Sequence, residues 1–102
     1  MKRQLLLGAV VMALLGGCQA TEAATGKELY EKNPCSACHN IGAGSAPILG
    51  VRSAWATRIK KGHEALTQSV VRGMGAMPPR GATALSDADI RRVVEYMIEQ
   101  GR

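Results

Sequence analysis

Phenylalanine is absent from the 102 residues, and the aromatic complement is Tyr30, Trp55 and Tyr96 alone. So few large rings leave a small domain short of core volume, and something other than side chains has to fill its middle. No lysine or arginine run exceeds two residues and no aromatics alternate with basic ones, so the formal charge of +5 does not make a nucleic-acid surface. No stretch alternates as a half-buried strand does. Cysteine is scarce: Cys18, Cys35 and Cys38. The last two are three positions apart, so they cannot staple a long loop. A chain of this length makes one domain at most.

What is present begins with a targeting signal. Met1-Lys2-Arg3-Gln4 is a positive leader, and Leu5 to Leu15 is an uncharged apolar run. That run is too short to span a bilayer comfortably but fits the core of an export signal. Leu14-Leu15-Gly16-Gly17-Cys18 resembles a bacterial lipobox, which makes Cys18 the expected lipidation site. Residues 1–17 are then a signal peptide, 18–24 a small polar tether and 25–102 the folded domain. The expected location is the periplasmic side of a bacterial membrane, held by an N-terminal lipid. The outer membrane is favoured over the inner, since Gln19 rather than aspartate follows the cysteine. Cleavage after Ala20 would instead leave the domain free in the periplasm.

The exported part reads as all-α. Thr25-Gly26-Lys27-Glu28 has the spacing of a capping box and opens a first helix that stops before Pro34. Gly42, Gly44, Pro47 and Gly50 mark an irregular loop. Ser53 is expected to cap a short helix running to Lys61, and a further helix from about Glu64 ends at Gly73. Met74 to Leu85 is again irregular. Ser86-Asp87-Ala88-Asp89 starts the last helix with a cap and early acids. Its apolar stripe is Ile90, Val93, Val94, Met97 and Ile98, and Gly101 ends it. The loops are long for so small a domain, and long ordered loops need a surface to pack on.

The chemistry concentrates in Cys35-Ser36-Ala37-Cys38-His39. A thioredoxin-like redox pair would sit in a strand–helix–strand setting, which the chain does not offer. A structural zinc site wants four ligands, and beyond these three only His63 and carboxylates remain. Covalent attachment of a c-type haem accounts for all three residues. On a helical turn, Cys35 and Cys38 face one side and can add to the two vinyl groups of one porphyrin. His39 then reaches across the ring plane to the iron. Haem also supplies the missing core and the flat surface. The second axial position has four candidates: Met74, Met77, Met97 and His63. Met97 lies on the apolar stripe, where methionine fills gaps. His63 sits in a polar helix boundary. Met77 is favoured because Pro78 and Pro79 fix the backbone beyond it, leaving Met74 to line the pocket.

Together with Gly44-Ser45-Ala46-Pro47-Ile48-Leu49-Gly50, Met77-Pro78-Pro79-Arg80-Gly81 and Leu85-Ser86-Asp87, the haem motif resembles the class I bacterial cytochromes c, closest to the cytochrome c5 branch. The likeness runs from about Gly26 to Gly101. It implies a small cytochrome c fold of about four helices wrapped around one covalently attached haem. It also implies His39 and Met77 as axial ligands, the Pro47 carbonyl as acceptor for the other His39 ring proton, and Trp55 beside the haem near a propionate. The first and last helices would cross, with Gly26 letting them approach near Tyr96. Some relatives carry an extra cysteine pair that this chain lacks. With both axial positions filled, substrate cannot reach the iron. The expected role is therefore a tethered, non-enzymatic electron carrier. It would meet redox partner proteins at the exposed haem edge through salt-sensitive contacts, with Arg52, Arg58, Lys60, Lys61 and Arg80 forming either a basic rim or simply a solvated surface. The alternative is a haem catalyst or gas sensor with an open or labile sixth position.

Overall fold

A computed structural model describes residues 23–102; the expectations for the signal peptide, for Cys18 and for most of the tether lie outside the described residues. Among the described residues, five α-helices occur in the order α1 (Gly26–Lys32), α2 (Cys35–His39), α3 (Arg52–Ile59), α4 (His63–Arg72) and α5 (Asp87–Gln100). Two short turns, Ala43–Ser45 and Pro79–Ala82, punctuate the loops. Among the described residues there is no strand, only an isolated bridge between Met74 and Met77. None of the described helices is long and apolar enough to cross a membrane.

The helix ends follow from local chemistry. Thr25 and Glu28 form the full capping box: the Glu28 N–H donates to Thr25 Oγ1 over 3.1 Å, and the Thr25 N–H donates to Glu28 Oε1 over 2.9 Å. Those bonds hold the Glu28 carboxyl below its ordinary pKa, because the ionised form is the better acceptor. Asn33 turns its side-chain amide back onto the Leu29 carbonyl at 2.8 Å. Pro34 then starts a separate single turn, so the helices number five rather than four. Ser53 is not a cap. The helix begins earlier, with Val51 at the N-cap and no side-chain cap bond. A backbone turn from the Val51 N–H to the Ile48 carbonyl sets that start and places Ser53 inside the first turn. At α5, Ser86 Oγ accepts from the Asp89 N–H at 3.1 Å as its sequence foretold.

The core is built on α5. Ile90, Val93, Val94, Met97 and Ile98 are all buried, with only Tyr30 and Trp55 added from elsewhere. One side of the stripe packs on Tyr30 and Trp55, the other on Leu66, Val70 and Val71 of α4. Gly26 makes the α1–α5 contact possible: a Cβ there would fall 2.2 Å from the Arg92 carbonyl oxygen. The Tyr30 and Tyr96 rings meet beside it at 5.6 Å. Gly101 performs the same service for Trp55, whose Cβ would lie 2.7 Å from an added methyl. The remaining space, between α5 and the two long loops, is the cavity that holds the site.

Candidate functional site

Helix α2 carries the two thiols and the imidazole. Cys35 is half-buried, Cys38 exposed, and neither is in a disulfide. Burial pushes the Cys35 thiol up in pKa, against a smaller downward pull from its own backbone N–H. That is the opposite of an activated redox thiolate. His39 is buried, at 7 % exposure. Its Nδ1 lies 2.8 Å from the Pro47 carbonyl oxygen. A carbonyl only accepts, so Nδ1 holds the proton and Nε2 keeps its lone pair. Among the described residues that nitrogen has no protein partner.

The loop behind His39 is tied at three successive residues. The Pro47 carbonyl accepts from the ring, the Ile48 carbonyl accepts from the Trp55 indole N–H at 2.9 Å, and the Leu49 N–H donates to the His39 carbonyl at 2.8 Å. The Trp55 ring lies 6.3 Å from the imidazole. Its donor is engaged with the Ile48 carbonyl, and its ring lines the cavity. The residue after His39 is fixed as well: Tyr30 Oη donates to Asn40 Oδ1 at 2.6 Å. Sequence reading missed this bond, although a buried tyrosine always wants a partner for its hydroxyl. Desolvation raises the Tyr30 pKa to about 12.

The opposite wall comes from the segment between α4 and α5. Met74 and Met77 exchange backbone hydrogen bonds of 2.9 Å, closing a tight turn through Gly75. Gly73 lets that turn fold back, since a Cβ there would lie 2.8 Å from the Pro79 nitrogen. Met77 is half-buried; Met74 is 59 % exposed.

Cys35, Cys38, His39, Pro47, Trp55 and Met77 all line one apolar cavity of about 490 Å³. Met74 and Met97 line it too. A buried imidazole with a free lone pair, facing an apolar space beside two thiols, suits a metalloporphyrin bound through thioethers. His63 is elsewhere, with Nε2 against the Arg91 carbonyl at 3.2 Å. The zinc alternative finds no support, as no cluster of three or more His, Cys, Asp or Glu side chains is placed to hold a metal among the described residues.

The expected basic rim is not what surrounds the cavity. Of its five members only Arg58 and Arg80 reach the lining. Both guanidiniums are engaged, Arg58 with the Ala54 carbonyl and Arg80 with the Leu85 carbonyl and Asp87. About half of the lining comes from residues 33–51 and 73–79, which contain no Asp, Glu, Lys or Arg at all. The two segments abut, a Cβ on Gly44 coming within 3.1 Å of the Ala76 Cβ.

Comparison with known proteins agrees with this site. Residues 21–97 match the family described as cytochrome C oxidase, cbb3-type, subunit III. The chain is 36 % identical to cytochrome c-555 of Chlorobaculum tepidum, across 95 % of this chain and 93 % of that one. It is 38 % identical to cytochrome c5 of Azotobacter vinelandii, across 62 % of this chain and 80 % of that protein. In a crystal structure of an electron transfer complex of nitrite reductase with cytochrome c, one chain superposes with a TM-score of 0.75 at 41 % identity, covering 80 % of this chain and 100 % of that chain. A cavity flanked by a Cys-x-x-Cys-His turn, an all-helical frame and these relatives lead to one assignment: the chain belongs to the class I c-type cytochromes, close to cytochrome c5, with covalently bound haem c as its cofactor.

Proposed function

We propose that this small cytochrome c electron carrier holds its haem through Cys35 and Cys38, between His39 on one face and Met77 on the other. The observation that carries the proposal is that these four side chains line a single apolar cavity although Met77 lies far from the haem motif in sequence. When bound, the haem supplies a one-electron ferric/ferrous couple. His39 is held in one tautomer by Pro47, which raises its donor strength. Met77 offers a soft thioether that favours the ferrous state. The apolar lining disfavours the extra ferric charge, and both effects raise the potential. Since neither ligand has to move, the site suits transfer of an electron rather than catalysis.

The partner class we assign is a redox protein that docks where the uncharged segments 33–51 and 73–79 border the cavity. The structural neighbour's own complex with nitrite reductase supports a redox enzyme as such a partner. The working place we assign is the periplasmic face of a bacterial membrane, with lipid on Cys18. Mass spectrometry of the protein from its native membrane tests this, since haem, lipid and N-terminus are all read from one mass. A mass beginning at Thr21 without lipid would replace the anchored form with a free one.

Absorption spectroscopy of the holoprotein tests the ligand pair. Low-spin haem with a sulfur-to-iron charge-transfer band, lost in Met77→Ala, is expected. A high-spin spectrum with ready carbon monoxide binding in the unaltered protein would shift the assignment to a catalyst or gas sensor.

A further inference from the structure

Among the described residues, three that are not glycine have positive φ: Ser45 at 66°, Arg80 at 59° and Ala82 at 62°. All three line the haem cavity. Two belong to the turn that follows the Met77 prolines, where Arg80, Gly81 and Ala82 are left-handed in succession. Only the glycine takes that conformation freely, so the turn is strained unless something holds it. It also forms the floor under the proposed ligand: a Cβ on Gly81 would lie 3.4 Å from the Met77 Cε.

Upstream, Met77 is secured by its backbone exchange with Met74. Downstream, the side chain that ties the turn to a rigid element is the Arg80 guanidinium. Its Nη1 donates to the Leu85 carbonyl at 2.9 Å, and its Nη2 to Asp87 Oδ1 at 2.6 Å in the first turn of α5. Thr83 completes the ring, donating from Oγ1 to the Arg80 carbonyl and accepting from the Leu85 N–H. We propose that Arg80 is a positioning residue that latches this strained turn to α5 and so keeps the Met77 sulfur seated in the cavity. The inference rests on Met77 being the sixth ligand. It assigns Arg80 to holding that ligand rather than to binding a partner.

The test is binding of imidazole to the ferric holoprotein, followed through the shift of the haem Soret band and, where the sulfur is present, loss of the sulfur-to-iron charge-transfer band. Arg80→Ala keeps the strain and removes the latch, so imidazole should enter faster by roughly tenfold to a hundredfold, the range of a charge-assisted hydrogen bond. Arg80→Gly removes latch and strain together and should fall between Arg80→Ala and the unaltered protein. Asp87→Asn breaks only the exposed ion pair and should change the rate less than about fivefold. An Arg80→Ala rate within about threefold of the unaltered protein, in a spectrum showing intact low-spin haem, overturns the latch. So does an Arg80→Gly rate equal to or above that of Arg80→Ala. If Arg80→Ala does not fold, the Arg80→Gly and Asp87→Asn rates decide, and no acceleration in Arg80→Gly refutes the latch. The Met77→Ala protein separates the two ideas. If the unaltered protein already binds imidazole as fast as Met77→Ala, the ligand assignment fails and the latch falls with it.

Discussion

At the scale of single residues, the site depends on where a few donors are directed. Trp55 shows this. Its indole N–H holds the Ile48 carbonyl, and the neighbouring Pro47 carbonyl holds His39. Trp55→Phe keeps an apolar ring but orphans the Ile48 carbonyl. Exchange of the His39 Nδ1 proton should accelerate about fivefold to tenfold in proton NMR, the size of one lost hydrogen bond. Unchanged exchange with a lowered melting temperature would make Trp55 a simple filler. Tyr30 gives a pH prediction. Its pKa rises from 10.0 unfolded to about 12 folded, because burial disfavours the phenolate. Its contribution to stability is therefore complete below pH 10 and declines as pH climbs toward 12. Tyr30→Phe should flatten the stability profile in that window, as measured by denaturant unfolding. Residue identity alone revealed Cys35, Cys38 and His39, whose spacing is itself the chemistry. The target of the Trp55 donor was not legible, since a backbone carbonyl on a distant loop leaves no mark in sequence.

At the scale of elements, the helices were readable wherever a local signal set their ends. Thr25 with Glu28, Gly73, Ser86 and Gly101 all mark boundaries where the structure has them. Ser53 misled because a backbone turn at Val51 does the capping work, and backbone turns carry no side-chain signature. The α1–α5 crossing was implied by the family resemblance, and the structure shows that Gly26 has no room for a side chain there. Gly26→Ala would press a methyl onto the Arg92 carbonyl, a backbone atom that cannot step aside cheaply. The expected loss is about 3 kcal/mol or more, the upper range for overpacking, measured as a shift in denaturation midpoint. A loss under about 0.5 kcal/mol would mean that the two helices adjust freely.

At the scale of the whole molecule, the proposed docking at the uncharged segments beside the cavity makes a prediction about salt. Sequence reading left Arg52, Arg58, Lys60, Lys61 and Arg80 as either a basic collar around the haem or a plain solvated surface. Whether they reach the cavity mouth depends on helix rotation, which composition does not encode. Exposed Ile41 and Met74 lie within the uncharged segments instead. Electrostatically steered partners change their association rates by tenfold or more with salt. Under the proposed docking, the second-order rate of electron transfer to a redox partner protein should vary less than about threefold between roughly 10 and 200 mM salt. A steep fall would restore the collar. The aromatic poverty noted at the outset also acts at this scale. A Cys35→Ala, Cys38→Ala protein that acquires no haem should lose its fixed tertiary packing while retaining helix, as seen in near-ultraviolet against far-ultraviolet circular dichroism.

Among the described residues, helix α5 supplies five of the seven buried apolar side chains, and it is translated after every other described helix. A nascent chain that ends before Asp87 has nothing to collapse around. Both thiols and the imidazole of α2 thus stay accessible until α5 has been made and has docked. The order of the genetic message keeps a door open for whatever machinery installs the porphyrin, and the final helix shuts it.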